Sequence, residues 1–109
     1  MARPVRVTVS SLTTSTVIPL NTYADPFNVG IGCDISAGGS LTYTVEHTFD
    51  NVQAPGFNPA NATWYSNSTL TNITTDKDGN YSYPVTGVRL NVTVWASGSV
   101  TMTVIQAGF

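Results

Sequence analysis

The residues best equipped for chemistry are few. The chain of 109 residues carries one histidine, His47, and one cysteine, Cys33. A nucleophile and its base must lie within hydrogen-bond reach, about 2.6–3.2 Å. Both residues fall on the apolar rows of alternating stretches, two residue pairs apart along a ladder. That is on the order of 13 Å, too far for a Cys-His pair. Glu46 points to the opposite face from His47. No nucleophile, base and orienting group converge, so the expectation is that the chain is not an enzyme.

Metal and nucleotide chemistry fare no better. One His and one Cys cannot build a zinc cluster. Asp76, Asp78 and Asn80, with Gly79 beside them, echo the start of a calcium loop, but the later ligands and flanking helices are missing. Residues 76–80 therefore read as a turn. Gly30-Ile31-Gly32 is a lone glycine pair inside a strand pattern, with no helix N-terminus to hold a phosphate. No cofactor and no metal are expected.

What remains is contact chemistry. Trp64, Tyr65, Tyr81, Tyr83 and Trp95 stand beside Asn and Thr. Aromatics in such company anchor protein interfaces or stack on sugars. Trp95 belongs to the polar row of its strand, so it is either exposed or covered by a partner.

The elements that must position these residues are strands. In residues 88–106 Val88, Leu90, Val92 and Val94 alternate with Arg89, Asn91, Thr93 and Trp95. After Ser97-Gly98-Ser99 the alternation resumes with Val100, Met102 and Val104. Period-two alternation marks a half-buried strand. Read as a hairpin, matching the apolar rows pairs Val94 with Met102, Val92 with Val104 and Leu90 with Gln106. It also requires an odd loop centred on Gly98, with Gly98 or a neighbour at positive φ. Residues 27–49 repeat the logic around Ala37-Gly38-Gly39-Ser40. There Cys33 pairs with Leu41, Ile31 with Tyr43, Val29 with Val45 and Phe27 with His47. Two such hairpins, neither stable alone, predict two sheets packed face to face.

The rest of the chain is consistent with that plan. Residues 4–11 give a first strand, preceded by an arm at Arg3-Pro4. Residues 17–20 contain Pro19 and read as an edge or a bend. Residues 50–62, with Pro55, Gly56 and Pro59, show no period and read as a functional or mobile loop. Tyr81, Tyr83 and Val85 alternate into a further strand limited by Pro84. The fold class is all-β: an antiparallel β-sandwich, jelly-roll-like or Ig-like, of six to eight strands in a single domain, residues 1–109.

Composition narrows the partners. Only 9% of residues are charged, against roughly 25% in ordinary soluble domains. Thr, Ser and Asn carry the polarity, and they cost less to desolvate than charges. Such a surface suits burial against neighbouring subunits. Net charge is −2 and no basic block exists, so no nucleic-acid partner is expected. No stretch is apolar enough to span a membrane. Met-Ala-Arg-Pro leads directly into a strand pattern, without the apolar run of a secretion signal. The single cysteine precludes an internal disulfide, and the Asn-X-Ser/Thr triplets at Asn61, Asn67, Asn72, Asn80 and Asn91 are read as unglycosylated.

The segments DPFNVGIG, LTYTVEHTFDN, NATWYSNSTL and GVRLNVTVWASGSVTMTVIQAG give the chain a further character. Across residues 17–108 it resembles small β-sandwich virion structural proteins of tailed bacteriophages. The resemblance lies in texture and order and carries no catalytic signature. It implies a structural role in the virion, assembled in the host cytoplasm: a capsid decoration (cement) protein, with a neck or tail component as the alternative. The implied partners are the major capsid protein or other virion proteins, and further copies of the chain in a homo-oligomer. A carbohydrate-binding module using Trp64, Tyr65 and Trp95 is the reading from a different class. The candidate contact residues are Phe57 and Asn58 in the long loop, Trp64, Tyr65 and Trp95, and Arg3 and Arg6 of the N-terminal arm and strand.

Overall fold

The computed structural model describes residues 4–22 and 27–106. Arg3 lies outside the described residues. Among the described residues eight strands form: β1 (Val5–Val9), β2 (Ile18–Pro19), β3 (Val29–Ile35), β4 (Ser40–Thr48), β5 (Tyr65–Ser66), β6 (Lys77–Tyr81), β7 (Gly87–Ser97) and β8 (Val100–Gln106). One 3-10 turn, Pro59–Asn61, is the sole helical element among the described residues. The strands make two four-stranded antiparallel sheets, β1-β8-β3-β6 and β2-β7-β4-β5. This is the strand order of a jelly-roll sandwich.

The inward rows are the ones alternation selects. Val29, Ile31 and Cys33 of β3 and Val100, Met102 and Val104 of β8 face Leu41, Tyr43 and Val45 of β4 and Val88, Leu90 and Val92 of β7 in one buried core. The pairing, however, corrects both expected hairpins. β3 and β4 lie in different sheets, as do β7 and β8. Cys33 pairs with Met102 and Ile31 with Val104. Val45 pairs with Leu90 and Tyr43 with Val92. Each expected hairpin is an arch that crosses the sandwich. Matching of apolar rows does not separate the two cases: side by side or face to face, both rows still point into one core.

The corners decide the matter. Gly38 and Gly98 sit at φ +76° and +83°, conformations that favour glycine. The corners are tied to each other. The Ser36 amide donates to the Ser99 carbonyl (2.9 Å) and the Ser99 amide to Ser36 Oγ (3.0 Å). β3 thereby continues onto β8 through its corner instead of turning back on β4.

A second correction concerns β7. Its register with β4 slips twice, leaving Thr93 and then Ala96 without an opposite residue. One inserted residue reverses the facing of everything beyond it. Val94, expected inside, is 59% exposed. Trp95, expected on the outer row, stands opposite buried Leu41.

Residues 76–80 are also not a turn, since Lys77–Tyr81 is β6, paired with β3. Leu70 explains the glycine there, because a Cβ on Gly79 would lie 3.0 Å from Leu70 Cδ1. The leucine packs on bare backbone and is fully buried. Tyr83 and Val85 follow β6 outside any strand. Pro19 sits in an edge strand, as its missing donor requires.

Candidate functional site

At one end of the sandwich β4 finishes, β5 begins and β6 finishes, and their side chains meet. His47, near the end of β4, is buried and stands opposite Tyr65. The two rings stack at 5.8 Å. Phe49 (5.6 Å), Tyr81 (4.9 Å) and Tyr83 (6.0 Å) present edges to the same imidazole. Phe49 and Tyr65 also touch, at 5.7 Å. The outer members are open: Phe49 is 54%, Tyr65 51% and Tyr83 48% exposed. Three exposed rings thus surround a buried imidazole.

Hydrogen bonds fix the base of this platform. His47 Nδ1 lies 2.7 Å from the Tyr81 hydroxyl, and the Asn67 side chain beside that hydroxyl offsets part of the upward shift in its pKa. Asn67 Oδ1 already accepts from the Thr69 and Leu70 amides. Its NH2 is therefore the side left to face the Tyr81 hydroxyl. Burial lowers the His47 pKa from its ordinary value and raises that of Tyr81. Both are neutral at pH 7, so the chain of bonds is a brace. Asn67, in one of the Asn-X-Ser/Thr triplets, is buried with its amide engaged in this way.

Trp64 turns the other way. Its ring lies under the Arg89 guanidinium at 4.0 Å. Arg89 Nε donates to Glu46 (2.8 Å) and Asn91 Nδ2 to the same carboxylate (3.3 Å). The Trp64 indole N–H donates to the Pro59 carbonyl (2.9 Å). This half-buried cluster covers the outer face of the β2-β7-β4-β5 sheet near β5.

The long loop is stitched together. The Thr63 amide donates to Asp50 Oδ2 (2.9 Å), closing the loop on itself. Asn58 Oδ1 caps the 3-10 turn by accepting from the Ala60 amide (3.0 Å). Phe57 is half-buried, with its amide donating to Ala54 O (3.1 Å). Trp95, 40% exposed, donates its indole N–H to Gly98 O (3.0 Å). Arg6 is exposed on β1.

Of the aromatics singled out in the sequence, Tyr65 and Tyr83 are exposed members of the platform and Tyr81 lies in its base. Trp64 and Trp95 do not share a surface with it. Six residues of β7 separate Trp95 from the Arg89 that covers Trp64, about 20 Å of strand. Phe49 is the member of the platform that the sequence does not mark as a contact residue. Phe49 lies one position beyond β4, two residues from His47.

Cys33 is a core thiol. Burial pushes its pKa up to about 12, and it lies in the β3 row opposite Met102. Among the described residues no group of three His, Cys, Asp or Glu could hold a metal. Asp76 Oδ1 instead accepts from the Ile35 amide (2.8 Å). A shallow depression of about 430 Å³ over Gly32, Asp34, Asp76 and Asp78 opens flat to solvent.

No family model matches the chain, and no curated protein matches it. Among solved structures it is similar to a chain from Bacillus endospore appendages, described as forming a novel family of disulfide-linked pili. Identity is 12%, covering 96% of this chain and 85% of that one, with a TM-score of 0.46. A likeness of that strength carries no argument about function.

Proposed function

We propose that the chain is a structural virion protein of a tailed bacteriophage, a capsid decoration (cement) protein that grips the shell through the aromatic end of its sandwich. The observation that carries the contact surface is the platform of Phe49, Tyr65 and Tyr83. Large exposed rings held rigid over a hydrogen-bonded base lose little conformational entropy on docking and bury much apolar area. Rigid contacts of this kind, repeated over a symmetric shell, become strong in sum. The virion assignment itself rests on the sequence resemblance. The sparse charge and the jelly-roll sandwich are compatible with it.

The test is binding to particles. Purified virions are assayed for the chain by quantitative mass spectrometry, and stripped particles are rebound with recombinant protein. Hundreds of copies per particle are expected. A Phe49→Ser/Tyr83→Ser double variant, which leaves the buried His47–Tyr81 pair in place, is expected to lose rebinding while keeping the wild-type circular dichroism. Six or twelve copies would instead make it a neck or tail component. Absence from particles overturns the virion reading altogether. A carbohydrate module is the remaining class, and glycan binding lost in Tyr65→Ala would support it.

A further inference from the structure

Each sheet has two edges, and three of the four are blunted. β2 and β5 are two residues long, and β2 contains Pro19. β6 carries Lys77, Asp78 and Gly79. These are the usual guards against edge-to-edge pairing. β1 has neither proline nor glycine, and Arg6 is its one charge. It is five residues, Val5-Arg6-Val7-Thr8-Val9, and its first valine is 46% exposed. Among the described residues, no main-chain hydrogen bond reaches β1 beyond its ladder with β8.

The register shows which backbone groups are free. The Ser36 amide bonds the Ser99 carbonyl, so Ser36/Ser99 is a hydrogen-bonded pair. Antiparallel ladders alternate bonded and non-bonded pairs. Asp34/Thr101, Gly32/Thr103 and Gly30/Ile105 are therefore bonded pairs of β3 with β8. Val100, Met102 and Val104 turn their groups to the other side, onto Val9, Val7 and Val5 of β1. That leaves the N–H and C=O of Arg6 and Thr8 aimed outward along the open edge.

We propose that β1 takes the β1 strand of a second copy, antiparallel, about a two-fold axis at Val7. Arg6 then exchanges both main-chain bonds with Thr8 of the second copy, and Thr8 with its Arg6. Val7 meets Val7 as a non-bonded pair. The register is self-selecting. Centring on Arg6 would set two guanidiniums directly opposite each other, which is unfavourable. Centring on Thr8 would need Ser10, which lies beyond the strand. In the chosen register exposed Val5 lies against Val9 of the second copy. The four-stranded sheet doubles into one continuous sheet, and the shared surface is isologous, as a closed dimer requires.

The proposal does not rest on the virion reading, since it concerns the purified chain alone. Sedimentation equilibrium is expected to show a dimer. Thr8→Pro removes a donor used only across the new edge, at a position where an edge strand tolerates proline. It is expected to give a monomer with unchanged circular dichroism. Cysteine pairing reads the register independently. A non-bonded pair has Cα atoms about 4.5 Å apart, within disulfide range, so Val7→Cys is expected to form a covalent dimer on mild oxidation. Val5→Cys is expected not to, because its own copy lies four residues off register. A wild-type chain that stays monomeric at every soluble concentration overturns the proposal. So does a dimer that survives in folded Thr8→Pro, or Val5→Cys cross-linking as well as Val7→Cys.

Discussion

Gly98 and Gly39 touch backbone to backbone: a Cβ built on Gly98 would lie 2.6 Å from Gly39 Cα and 2.8 Å from Ser36 Oγ. The two residues belong to the two arches, so the points at which the chain crosses between sheets rest on each other. Their contact holds β3 on β8 at the same end as the Ser36–Ser99 bonds.

Gly98→Ala should therefore be the costlier of two similar substitutions. Gly38 also has positive φ, +76°, but nothing lies within 4 Å of its Cβ position. Gly38→Ala carries the backbone strain alone, about 1 kcal/mol. Gly98→Ala adds a backbone clash and is expected to cost about 2–4 kcal/mol. Urea unfolding of both variants checks the ranking. Equal costs would mean that the corners do not bear on each other.

The arches also mark where the sequence stops being legible. Alternation identified the inward rows of β3, β4 and β8, and of β7 as far as Val92, because core facing is a property of one strand and its period. Which strand lies beside which is a property of the corner. Ala37-Gly38-Gly39 and Ser97-Gly98-Ser99 serve a hairpin turn or an arch equally well. Arg89 and Glu46 are 43 positions apart, and Tyr65 reaches His47 through a loop that no period describes. The rings of the platform converge through topology, so spacing alone could not assemble them.

The His47 brace makes stability depend on pH. Its folded pKa is depressed by burial, so between the folded value and the ordinary one near 6.5 the unfolded chain binds more protons. The stability contributed by the neutral imidazole is full above about pH 6.5. It is lost as pH falls from there through the folded pKa. Melting temperatures taken from pH 8 to pH 5 should fall more steeply for the wild type than for His47→Gln, and a parallel decline would remove His47 from the account.

Tyr81→Phe should destabilise without unfolding the chain. It deletes one hydroxyl and leaves the His47 Nδ1 without its partner. A polar group left unsatisfied near the core costs about 1–3 kcal/mol. Denaturant unfolding gives the value. A loss below about 0.5 kcal/mol would show that water replaces the hydroxyl freely.

Cys33 should be silent toward thiol reagents in the native state. Burial holds its pKa at about 12, and the thiolate is the reactive form. Labelling with a chromogenic disulfide at pH 8 should proceed only as fast as the chain opens, and immediately in denaturant. Rapid native labelling would place the thiol at the surface.

The slip at Thr93 separates two valines that alternation treats alike. Val92 is 2% exposed and pairs with Tyr43 in the core, whereas Val94, beyond the inserted residue, is 59% exposed and pairs with Thr42. Val92→Thr buries a hydroxyl in an apolar row and is expected to cost about 1–3 kcal/mol. Val94→Thr keeps the β-branch on an exposed face and is expected to stay within about 0.5 kcal/mol. Unfolding curves of the pair read the facing of β7 directly. Equal losses would mean that the strand runs without its bulge and that Val94 points inward after all.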